Sequence, residues 1–167
     1  MKLETFTLKE DVLPVDLDGW IAYRAEKIVI VLHECDFRVD GYVAFRPDDI
    51  EGQEASQANA FHDKVIAEEK LLDAWQDRRE WAYANYQELF ARFAKDRELL
   101  SVERPGDYFL VGEVVDTDHE GVTLKCMAPD GGWDEEDEFV DWDEISLVRW
   151  RSNYLTMLRK HGAKRPD

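Results

Sequence analysis

Apolar positions along this chain fall into two kinds of pattern separated by a long helical stretch. Thr5-Phe6-Thr7-Leu8 alternates weakly. Trp20 to Arg24 and Lys27 to His33 read as strands, the second rich in Ile and Val as a buried strand should be. Asp40-Gly41 signals a turn, Tyr42-Val43-Ala44-Phe45 a further strand, and Asp48-Asp49-Ile50 a short fifth element after Pro47. From about Gln57 to Ala94 there is neither Gly nor Pro. Phe61, Val65, Leu72 and Trp75 share one helical face, and Ala82, Tyr86, Leu89, Phe90 and Phe93 recur at steps of three and four. This predicts two helices broken near Gln76–Glu80, or one bent helix. Beyond Glu98 the strand pattern returns: Leu99–Glu103, Tyr108–Asp116, Val122–Met127, Glu138–Val140 and Ile145–Trp150, with a helix over Asn153–His161. Pro129 to Gly132 reads as a loop that leads into a solvated acidic segment.

The two strand-rich stretches share landmarks. Gly19-Trp20-Ile21-Ala22 answers to Gly112-Glu113-Val114-Val115, Ile28–Leu32 to Val122-Thr123-Leu124, and Asp48-Asp49-Ile50 to Asp143-Glu144-Ile145. The offset runs from 93 to 95 residues. Two copies make a tandem arrangement, since a solenoid needs about three or more repeats. The expected division is a first β unit over residues 1–54, a helical linker over 55–96, a second β unit with its C-terminal helix over 97–161, and a tail over 162–167.

Five short strands with tight turns in about 50 residues suggest a strongly bent antiparallel barrel. A helix followed by five strands, with Gly-x-apolar-apolar on the second strand, resembles an Sm-like or SH3-like barrel. Asp36–Val43 through Asp48-Asp49-Ile50 is similar to a group of small bacterial proteins in which two such barrels flank a helical linker. So is Val111-Gly112 through Asp143-Glu144-Ile145, with Asn153-Tyr154-Leu155 after it. The resemblance implies an α+β fold of two five-stranded antiparallel barrels joined by a helical segment, and implies no activity. The Arg-Gly-rich segment of RNA-binding Sm proteins has no counterpart; Asp141-Trp142-Asp143-Glu144 stands in its place.

Charge changes the functional picture most. The formal net charge is −17, with −7 over residues 1–60, −2 over 61–100 and −8 over 101–167. Such a surface repels phosphate backbones and anionic membranes and attracts basic proteins. The first ten residues hold no signal-peptide core, and no apolar stretch approaches a membrane span. Cys35 and Cys126 fall in different units, which argues for reduced thiols and a cytoplasmic protein.

Catalytic patterns are missing. Ser56, Ser101, Ser146 and Ser152 lack a nucleophile motif, and no phosphate loop or dinucleotide fingerprint occurs. His33, His62, His119 and His161 show no zinc spacing, so neither an enzyme nor a metal or organic cofactor is expected. The sharpest local signal is Asp134-Glu135-Glu136-Asp137-Glu138, flanked by Trp133 and Trp142, with no basic residue between Lys125 and Arg149. Carboxylates beside tryptophans suit a protein-docking surface. The expectation is a non-enzymatic interaction protein that meets a basic partner there, for instance as a neutraliser of a basic toxin. The alternative is an Sm-like module that binds RNA or forms rings. That reading requires Arg149, Arg151, Arg159, Lys160, Lys164 and Arg165 to gather into one basic patch.

Overall fold

A computed structural model describes residues 2–75, 81–106 and 108–166. In chain order the elements are β1 (Glu4–Leu8), β2 (Asp16–Arg24), β3 (Val29–Cys35), β4 (Arg38–Phe45), β5 (Ile50–Glu54), α1 (Gln57–Glu68), α2 (Tyr86–Asp96), β6 (Leu100–Arg104), β7 (Tyr108–Thr117), β8 (Gly121–Met127), β9 (Trp133–Asp141), β10 (Leu147–Trp150) and α3 (Asn153–His161). The helices start where side chains take up orphan amides. Ser56 and Asn59 form a capping box on α1, Asn85 accepts from the amide of Glu88 on α2, and Ser152 accepts from that of Leu155 on α3. The anticipated break at Gln76–Glu80 lies outside the described residues.

All ten strands form one antiparallel sheet in the order β5-β1-β2-β3-β4-β10-β6-β7-β8-β9. This overturns the expectation of two five-stranded barrels joined by a helical linker. The edge of β4 is taken by β10 from the other half of the chain, with Ala44 opposite Val148, Val43 opposite Arg149 and Tyr42 opposite Trp150. Local periodicity specifies strands and their faces, but not which half supplies the partner of an edge.

The halves nevertheless match closely. The first-half order β5-β1-β2-β3-β4 is repeated as β10-β6-β7-β8-β9. Gly19 opposes His33 and Gly112 opposes Cys126, both at an offset of 93. The bulge between Ile21 and Tyr23 recurs between Val114 and Asp116, and that between Leu32 and Glu34 recurs between Lys125 and Met127. At both glycines a Cβ would meet a backbone carbonyl oxygen at 2.5 Å, that of Leu32 or that of Lys125. Close approach of the neighbouring strand is the reason for glycine there.

The core is shared between the halves. Ile30, Leu32, Tyr42 and Ala44 from the first half pack in one cluster with Leu100, Val102, Val114, Leu124, Val148 and Trp150 from the second. The other faces of β3 and β4, Val29, Val31, Val43 and Phe45, lie in a second cluster under Leu13 and Leu17. Burial on both faces explains the unbroken Ile/Val run of β3. The stripe of α2, Tyr86, Leu89, Phe90 and Phe93, is fully covered, and Phe90 and Phe93 meet Trp142 and Trp150 at ring-centroid distances of 5.4 and 5.2 Å. Trp81, off that helical face in the sequence pattern, is also core, whereas Phe61 is 58% exposed.

Polar contacts fasten the same junction. Arg46 donates to the carbonyl of Ile145 at 2.6 Å and to that of Trp142, while its guanidinium lies 4.9 Å from the Tyr86 ring centre. Asp40 accepts from the Asn153 amide at 2.7 Å, at the first turn of α3. No helix among the described residues is long and apolar enough to cross a membrane.

Candidate functional site

The acidic segment is a strand, not a loop. β9 is the last strand of the sheet, paired with β8 on one side only. Val122 faces Val140, Thr123 faces Phe139, Leu124 faces Glu138 and Lys125 faces Asp137. The next pair is Met127 with Trp133, so Asp134, Glu135 and Glu136 stand opposite Cys126 alone. This bulge pushes three consecutive carboxylates out of the ladder, and all three are exposed.

Their neighbours are neutralised. Lys125 pairs with Asp137 at 3.1 Å and donates to the Glu135 carbonyl at 2.9 Å. Arg104 lies between Glu138 at 2.8 Å and Glu144 at 3.5 Å. Asp134, Glu135 and Glu136 have no side-chain ion pair among the described residues. Beneath the bulge the Cys126 thiol is pushed up to about 11, first by burial and then by Glu138, Asp134 and Asp137. It is therefore a protonated, unreactive thiol at neutral pH. Both cysteines are free.

The two tryptophans of the segment have structural partners. Trp142 is 7% exposed, stacks edge-on to Phe90 and donates its indole N–H to the Asp118 carbonyl at 3.1 Å. Trp133 is half-buried against the cluster of Leu99, Val111, Met127 and Leu155, and donates to the Ala163 carbonyl at 2.9 Å. The exposed aromatic on β9 is instead Phe139, at 48%. Strand alternation was the available signal: in Phe139-Val140 only one of two adjacent apolar side chains can face the core.

Five of the six C-terminal basic residues, Arg151, Arg159, Lys160, Lys164 and Arg165, line two clefts that share Arg159 and Leu99. Arg149 lies on β10 and pairs with Glu103 at 2.7 Å. Arg151 pairs with Glu98 at 3.5 Å and shares a small cleft with Arg159 and Lys160. Arg159, Lys164 and Arg165 line a second cleft together with Arg97 and Glu113, two residues that sequence spacing did not connect to them. No group of three or more His, Cys, Asp or Glu side chains among the described residues is arranged to hold a metal ion.

No protein-family model matches this chain, and neither a curated protein nor a solved structure does. The functional reading therefore rests on the geometry.

Proposed function

We propose that this is a non-enzymatic interaction protein whose acidic strand β9 receives a basic protein partner. The observation that carries the reading is the bulge at Asp134-Glu135-Glu136. Three exposed carboxylates stand together with no cation paired to them among the described residues, while Asp137 and Glu138 beside them are already paired. Phe139, exposed on the same strand, supplies an apolar anchor next to the charge.

The mode of contact follows from the edge. A bulged, highly charged edge strand resists addition of another strand. The partner would meet carboxylate side chains through its Lys or Arg residues, in charge-assisted hydrogen bonds. The net charge of −17 would steer such a partner over a longer range. A neutraliser of a basic toxin, as immunity proteins are, is one form that this surface suits.

The test is a paired capture experiment in lysate of the organism that encodes the protein. Wild type and the triple variant Asp134→Asn, Glu135→Gln, Glu136→Gln serve as baits. The expected result is a basic protein retained by wild type, lost with the variant, and released at high salt. Identical captured proteins with both baits would contradict the proposal.

A further inference from the structure

A second charged site lies on the face of β7 covered by α3 and the C-terminal tail. Glu113 is only 4% exposed, yet three guanidinium groups converge on its carboxylate. Arg159 Nη1 donates to Oε1 at 3.1 Å; Arg97 Nε and Arg165 Nη1 donate to Oε2 at 3.3 and 2.9 Å. They arrive from three places: the end of α2, the last turn of α3 and the tail. Lys164 lines the same cleft and has no carboxylate partner among the described residues.

The charge count is the informative point. Among the described residues, Arg97, Arg159, Lys164 and Arg165 gather around Glu113, with Glu98 also acting on Arg159, so positive charge exceeds negative locally in a chain whose net charge is −17. One guanidinium would suffice to fasten the tail to β7. A carboxylate offers about four lone-pair sites, whereas each guanidinium carries about five N–H donors. Glu113 thus satisfies only a minority of the donors assembled around it. The remaining donors border a cleft of ≈ 350 Å³, walled by Leu99, Met127 and Trp133. Convergent guanidiniums at a concave site are the usual means of holding a multiply charged oxyanion.

We propose that this cleft binds an oxyanion of the phosphate class. Arg97, Arg159 and Arg165 donate to its oxygens in a fixed fork geometry, and Lys164 adds a point charge. Glu113 is the positioning residue: it holds the three guanidiniums together and competes with the ligand for them. The inference is independent of the reading of β9.

The test is a titration of the full-length protein with inorganic phosphate, at ionic strength held constant with sodium chloride. The readout is the NMR shift of the arginine Nε–Hε groups. Saturable shifts are expected at Arg97, Arg159 and Arg165 and not at the distant Arg24. Lys164→Gln breaks no ion pair among the described residues, so it should fold normally and bind phosphate about tenfold more weakly. Glu113→Gln, if folded, should bind more tightly, because a competitor is gone. A parallel titration with AMP assigns the ligand: tighter binding than phosphate indicates a phosphoester, equal or weaker binding the free ion. Shifts that chloride alone reproduces, or a Lys164→Gln protein that binds phosphate as wild type does, would overturn the proposal.

Discussion

Tyr42 and Trp150 stack at a ring-centroid distance of 5.5 Å and an interplanar angle of 18°, directly across the pairing of β4 with β10. Trp81 closes on both rings, 5.2 Å from Tyr42 and 5.0 Å from Trp150. The two halves of the chain are joined by an aromatic cluster as well as by ladder hydrogen bonds. Trp150→Ala should therefore cost about 3–5 kcal/mol. The loss should affect both halves together, in one melting transition followed by near-UV circular dichroism and by amide exchange. Fragments 1–96 and 97–167 should each fail to fold alone, because each would expose part of the common core. A fragment that melts cooperatively would count against the shared core.

Gly112→Ala tests the matched register of the halves. The added methyl carbon would sit 2.5 Å from the Lys125 carbonyl oxygen and 3.1 Å from its carbon, and neither backbone atom can swing aside. Forced overpacking of this kind costs about 1–3 kcal/mol. Gly19→Ala should behave likewise, with Val31 and the Leu32 carbonyl in the way. Gly106→Ala has open space around the new methyl but a φ of +86° to maintain, so its cost should be smaller and arise from the backbone alone. Denaturant midpoints of the three variants give the ranking.

Much of this was legible in the sequence, and the remainder failed for identifiable reasons. The paired landmarks around Gly19 and Gly112 were visible because a close approach of strands demands glycine wherever it recurs. The stripe Tyr86, Phe90 and Phe93 was visible because its helical period is strong. The partner of β4 was not visible, since an edge strand carries no mark of which half will cover it. Phe61 looked like core because it shares a helical face with Val65, yet α1 turns it outward. The bulge at Asp134-Glu135-Glu136 was hidden because bulges depend on the register of the partner strand. The convergence on Glu113 joins residues 16, 46 and 52 positions away from it. No local pattern encodes contacts of that separation.

His33 supplies a pH dependence with a defined sign. Its imidazole is held down to about 4, first by burial and then by the Arg149 guanidinium, although Asp40 and Asp18 pull the other way. Its Nδ1 is buried without a hydrogen-bond partner. The unfolded chain takes up the proton near pH 6.5, before the folded protein does. Stability from this group is therefore intact above pH 6.5 and is lost progressively as pH falls towards 4, by about 2–3 kcal/mol in all. Asp49 and Glu98 are held above the usual carboxylate range by burial and act in the opposite direction, so the informative quantity is a difference. The unfolding free energy of wild type minus that of His33→Asn should fall as the pH is lowered from 7 to 4. Parallel curves would show that His33 is charged in the folded protein.

The acidic bulge carries the functional account, and association kinetics with the captured basic partner test it most directly. The association rate should fall by about tenfold or more in the Asp134→Asn, Glu135→Gln, Glu136→Gln variant, and should fall steeply for wild type as salt is raised from low to high. The melting temperature of the variant should stay close to that of wild type, because exposed carboxylates contribute little to folding. An association rate indifferent both to the three substitutions and to salt would contradict the assignment of β9 as the docking surface.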